Sequence, residues 1–114
     1  MVQQVENSLR ELCGVINQTI DTEKIYLFGS YAYGVPRQDS DYDLCVIIPD
    51  DGMRTTDAIK KIRKALYPFQ STPLDVIVCK AGDFAARQQG ASLERRIARE
   101  GVLLHARSAE PRMA

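Results

Sequence analysis

Four short runs of strand-forming residues punctuate this chain, and none is longer than a single strand. They are Lys24–Phe28, Tyr42–Ile48, Leu74–Cys79 and Val102–His105. The first stops at Gly29, the second at Pro49 and the turn Asp50-Asp51-Gly52, and Gly101 precedes the last. Between them the apolar spacing changes. Val5, Leu9, Leu12, Ile16 and Ile20 recur every three or four positions, so the first twenty residues read as an amphipathic helix. Ala58, Ile59, Ile62, Ala65, Leu66 and Phe69 mark a second helical face, with Lys60, Lys61, Arg63 and Lys64 opposite and Pro68 at its end. Asp83 is placed to cap a short helix from Phe84, and Ser92 another that Gly101 terminates. Strands alternating with helices predict an α/β (α+β) layer fold, a small mixed sheet of three to four strands flanked by helices. That is too few strands for a doubly wound dinucleotide fold.

At 114 residues the chain has room for one domain. We expect it to span residues 1–105, with 106–114 as a flexible tail. Fifteen basic and fifteen acidic residues cancel, which argues against binding nucleic acid or membrane through the whole surface and favours a protein partner. Cys13, Cys45 and Cys79 form no CxxC pair, so neither a zinc knuckle nor a redox dithiol is legible. Free thiols in a reducing compartment are expected, and the polar start carries no signal-peptide pattern, so the expected location is the cytoplasm. No run approaches the roughly 20 residues that span a bilayer.

The chemistry is concentrated between Phe28 and Leu44. Asp41 and Asp43 are two apart at the start of a strand, so both carboxylates point to one face, roughly 7 Å apart at Cα. Asp75 opens the third strand, inside a run that reads as buried. If that strand lies beside Tyr42–Ile48, Asp75 completes a cluster of three carboxylates. Oxygen-only ligands select a hard cation, Mg²⁺ or Mn²⁺. Gly29-Ser30 follows the first strand directly. A glycine there lets the backbone approach a ligand, and a helical turn from Ser30 would offer free N–H groups and a hydroxyl to an anion. A phosphate cradle beside metal-binding carboxylates is equipment for phosphoryl or nucleotidyl transfer. Gly-Ser alone is an ordinary turn. Gly-Ser, ten residues and Asp-x-Asp together occur by chance in about one window in 10⁵ at average residue usage.

Gly29-Ser30-Tyr31-Ala32-Tyr33-Gly34 followed by Ser40-Asp41-Tyr42-Asp43-Leu44 resembles the signature of the minimal nucleotidyltransferase domains, small members of the polymerase-β-like superfamily. The resemblance runs from the leading helix to Glu100-Gly101-Val102-Leu103-Leu104-His105. It implies the nucleotidyltransferase fold, with Gly29 and Ser30 holding the triphosphate of ATP, Asp41 and Asp43 holding two Mg²⁺ ions, and Asp75 completing the metal site near the nucleophile. It also implies an antitoxin role. Chains of this kind are similar to antitoxins paired with helical HEPN-type toxins, several of which are silenced by transfer of AMP to a tyrosine. Because larger relatives hold their acceptor with a separate helical domain, the acceptor is expected to come from another chain, as a hetero-oligomer, with a homodimer as the alternative. Two other readings stand beside this one: a small-molecule adenylyltransferase resembling aminoglycoside-modifying enzymes, and an antitoxin that acts by binding alone.

Among the remaining residues, Arg37 sits inside the motif loop and is a candidate phosphate contact. Arg87, Arg95, Arg96 and Arg99 form a basic stretch suited to RNA phosphates, a triphosphate or an acidic partner, diluted by Glu94 and Glu100. Tyr31, Tyr33 and Tyr42 either stack on a base or fill the layer between loop and helix. His105, the single histidine, is expected at a rim or interface.

Overall fold

The computed structural model describes residues 3–37, 40–69 and 73–107. Helix α1 (Gln3–Thr19) leads into strand β1 (Lys24–Phe28), the short helix α2 (Ser30–Tyr33) and strand β2 (Tyr42–Ile48). Helix α3 (Thr55–Leu66) carries the chain to β3 (Leu74–Lys80), followed by α4 (Ala81–Arg87), α5 (Leu93–Glu100) and β4 (Val102–Ala106). Pro68 lies in a 3₁₀ turn, Tyr67–Phe69, just after α3. The fold is α+β, as the alternation of runs predicts. The sheet has the order β3-β2-β1-β4. β1 is antiparallel to both β2 and β4, and β2 is parallel to β3. The parallel pair needs a long crossover, which α3 supplies.

Side chains alternate across each strand, so the sheet has two distinct faces. On one, α1 and α3 cover Ile25, Leu27, Leu44, Val46, Ile48 and Val76 with Leu9, Leu12, Ile16, Ile62 and Leu66. On the other, Phe84 of α4 and Ile97 of α5 pack on Tyr26, Cys45 and Ile47. β1 and β2 are sandwiched and nearly fully buried, while β3 and β4 form the edges and are half-buried.

Two local expectations are corrected. Asp83 does not cap a helix: α4 starts at Ala81, and the Asp50 carboxylate accepts from the Gly82 N–H at 2.8 Å. Lys80 ties the same turn from the other side, its Nζ donating to the carbonyls of Asp50 and Gly52 at 3.1 and 2.9 Å. The last strand runs on through Ala106, and the Arg107 N–H donates to the Glu23 carbonyl at 2.8 Å. The rest of the expected tail, 108–114, lies outside the described residues. Ser92 caps α5 as expected, its Oγ accepting from the Arg95 N–H at 3.1 Å. Among the described residues, no helix is long and apolar enough to cross a membrane.

Candidate active site

Gly29 leaves β1 with φ 77° and ψ −154°, a conformation essentially reserved for glycine. It is also the only residue type that fits: a Cβ there would overlap the Asp43 carboxylate, standing 3.0 Å from its Cγ. The glycine therefore admits a carboxylate of its own chain, a closer neighbour than the ligand its position suggests. Its carbonyl accepts from the N–H groups of Ala32 and Tyr33, both at 3.0 Å, and so starts α2. As in the first turn of any helix, the N–H groups of Ser30 and Tyr31 have no intrahelical acceptor. Ser30 is half-buried beside them.

The carboxylates come from two neighbouring strands. Phe28 pairs with Asp43 across β1 and β2, and Asp43 pairs with Asp75 across β2 and β3. Directly paired residues share a sheet face, and neighbouring strands are about 4.8 Å apart. Asp43 and Asp75 thus stand side by side on the α4/α5 face, at the end of the sheet where α2 begins. Asp41 immediately precedes β2, and the Tyr42 N–H beside it donates to the Pro73 carbonyl at 2.9 Å, continuing the ladder. The Asp43 carboxyl is raised above the ordinary carboxylate range, first by burial and then by the charges of Asp75 and Asp41. Asp75 and Asp41 thus lie near enough for their charges to act on Asp43. Asp41 and Asp75 are exposed, and Asp43 is half-buried. The expectation that Asp75 is buried fails because β3 is an edge strand, open on the side away from β2. Among the described residues, no three His, Cys, Asp or Glu side chains already form a ready ligand set. The donors fit a hard cation by chemistry, all oxygen and mutually repelling, and ligation requires their side chains to turn toward a common point.

The other candidates separate. Arg37 and Ser40 close the motif loop, with the Arg37 N–H donating to Ser40 Oγ at 2.7 Å. The Arg37 side chain is exposed, and the ion pairs among the described residues belong to other arginines. Tyr31 and Tyr42 meet edge to face with ring centroids 4.8 Å apart, filling the layer between α2 and β2. Tyr33 does something the local sequence does not announce: the Arg96 guanidinium lies over its ring, 4.2 Å from the centroid. The basic stretch is visible in the sequence, but nothing in it says which arginine reaches the motif. His105 lines a groove between α1 and β4 with Leu9, Cys13 and Leu103, far along the sheet from the carboxylates. Cys13 and Cys45 are buried free thiols, and Cys79 is half-buried.

Comparison with known proteins agrees with this geometry. A family model described as a nucleotidyltransferase domain matches residues 4–104. A crystal structure from Sulfolobus solfataricus, provisionally described as a nucleotidyltransferase, superposes with a TM-score of 0.62 at 21% identity, covering 91% of this chain and 82% of that one. A toxin-antitoxin crystal structure with AMP-PNP superposes with a TM-score of 0.55 at 23% identity, covering 90% of this chain and 73% of that one. A mutant of the toxin-antitoxin MntA-HpeT, with two aspartates replaced by glutamate, gives 0.54 at 21% identity over the same shares. No protein of curated function matches. The match over nearly the whole chain, on a fold that brings Gly29-Ser30 to Asp43 and Asp75, shows that this chain belongs to the nucleotidyltransferase domain family.

Proposed function

We propose that the chain is a nucleotidyltransferase that moves AMP from ATP to a tyrosine hydroxyl of a helical HEPN-type toxin, and so acts as its antitoxin in the cytoplasm. The observation that carries the proposal is the seating of the Asp43 carboxylate between Gly29 and the register partner Asp75. The phosphate cradle and the carboxylates are therefore one site. The toxin setting is supported by two structural neighbours that are toxin-antitoxin complexes, one with AMP-PNP and one altered at two aspartates two positions apart.

In this reading Asp41, Asp43 and Asp75 hold two Mg²⁺ ions, or Mn²⁺. When bound, the cations offset the charge of the triphosphate and of the transition state. The Ser30 hydroxyl and the N–H groups of Ser30 and Tyr31 donate to the terminal phosphates, fixing the α-phosphorus over Asp43. Arg37 supplies a further positive charge from the loop. The acceptor hydroxyl arrives from the open side of β3, where Asp75 is exposed, and Asp75 holds its proton. The hydroxyl oxygen bonds to the α-phosphorus as the bond to the bridging oxygen breaks, and pyrophosphate leaves on the Ser30 side. Charge repulsion among the carboxylates favours the site only if it is used, which speaks against binding alone.

The test uses purified chain, its neighbouring helical protein, ATP and Mg²⁺, with the partner weighed by mass spectrometry. Wild type should add one or more AMP units, and Asp41→Asn with Asp43→Asn should add none and lose neutralisation in cells. A double variant that still neutralises, with no adduct from either protein, would leave a binding-only antitoxin.

A further inference from the structure

One contact on the motif side of the molecule is unused by the site as described. The Arg96 guanidinium of α5 stacks on Tyr33 at 4.2 Å from the ring centroid. Tyr33 stands three residues after Ser30 in α2, so the two side chains lie on one helix face, about 5–6 Å apart at Cβ. α5 is held on the α4/α5 face of the sheet, the face of Asp43 and Asp75, by the fully buried Ile97 next to Arg96. Gly101 brings its end close to β1, where a Cβ would stand 3.0 Å from the Leu27 carbonyl oxygen. The helix is thus firmly seated, and Arg96 reaches from it to the lip of the cradle.

The guanidinium is partly committed. One face lies on the ring, and its Nε donates to Glu100 Oε1 at 3.4 Å. Its side chain is still 56% exposed, and among the described residues its Nε alone of the guanidinium nitrogens makes a hydrogen bond. A planar cation oriented by stacking, with one paired edge and one open edge, is built for bidentate contact with phosphate oxygens. Arg95 and Arg99 line one hollow with Gln88, Gln89 and Ala98 and share another with Arg96, but among the described residues only Arg96 stacks on an aromatic ring.

We infer that Arg96, oriented by Tyr33, is a second anchor for the terminal phosphates of the nucleoside triphosphate, facing the Ser30 cradle from the α5 side. The inference rests on the nucleotidyltransferase reading above and deepens it by adding a residue from outside the motif. Its function is to bind the departing pyrophosphate portion and not the nucleoside.

Isothermal titration of the 114-residue chain with ATP, and separately with AMP, in Mg²⁺ tests this. Arg96→Ala should weaken ATP binding about tenfold and leave AMP binding unchanged, since charge-assisted contacts to phosphate are lost selectively. Arg96→Lys should recover only part, because lysine keeps the charge but not the fork. Tyr33→Leu should fall between wild type and Arg96→Ala. Arg95→Ala with Arg99→Ala serves as the control and should bind ATP as wild type does. Should Arg96→Ala fail to fold by circular dichroism, Tyr33→Leu and Arg96→Lys carry the same ATP-against-AMP comparison. ATP affinity within twofold of wild type in these variants, an equal loss for AMP, or an equal loss in the control overturns this inference while the Asp41/Asp43 reading stands. A wild-type chain that binds no triphosphate overturns both.

Discussion

Replacing Gly29 with alanine separates two demands that the structure places on one residue. The backbone demand comes from φ 77° and ψ −154°, where a side chain costs about 1–3 kcal/mol. The packing demand comes from the Asp43 carboxylate, whose Cγ would stand 3.0 Å from the new Cβ. β2 is held in place by Tyr42 and Leu44, 5% and 0% exposed on either side of Asp43, so the half-buried Asp43 side chain is what must turn aside. Pushing it off its rotamer costs about 0.5–1.5 kcal/mol more. The sum, about 1.5–4.5 kcal/mol, is a large part of the roughly 5–15 kcal/mol that holds a domain together. At about 4 °C per kcal/mol for a domain of this size, Tm should fall by about 6–18 °C. Urea and thermal unfolding followed by circular dichroism measure this directly. In an Asp43→Ala background the packing part should vanish and the backbone part remain, a coupling of about 0.5–1.5 kcal/mol. If Gly29→Ala costs under about 0.5 kcal/mol, the size of an ordinary surface change, the described turn is wrong. If the cost is the same in both backgrounds, the carboxylate is not seated against Gly29.

Asp43→Asn should stabilise the folded chain at neutral pH. The folded state holds the Asp43 proton more tightly than the unfolded state, through burial and then the charges of Asp75 and Asp41. That group's contribution favours folding below the ordinary carboxylate range and is lost as pH rises through the raised folded value. The advantage of the variant over wild type should therefore grow from about pH 4 to pH 7, and a pH-independent difference in urea midpoint would contradict it. Saturating Mn²⁺ should raise the wild-type Tm and spare the Asp41→Asn, Asp43→Asn variant, and adding a chelator should reverse the gain. Brief alkylation at neutral pH should label Cys79 ahead of Cys13 and Cys45, checked by peptide mass spectrometry. Pairing between the neighbouring thiols Cys45 and Cys79 lowers Cys79 and raises Cys45, while burial pushes Cys13 up to about 11.

What the sequence determined by itself was local. Period-three-and-four spacing placed α1 and α3, short β-rich runs placed the strands, and Ser92 announced its own cap, because these features depend on neighbours within a turn or two. The spacing of Gly29-Ser30 and Asp41-x-Asp43 also needed no structure, since both lie on one short connection between paired strands. The tertiary structure decided everything that depends on register and strand order. A parallel pairing, with β3 at the edge, put Asp75 opposite Asp43 and left it exposed, where its apolar surroundings in the sequence suggested burial. The side chain that reaches the Gly82 N–H comes from Asp50 and not from nearby Asp83. Arg96 meets Tyr33 only because Ile97 seats α5 on the same face of the sheet. Such contacts join residues far apart in the chain, and burial of the shared apolar faces fixes them, so no local pattern records which partners will meet.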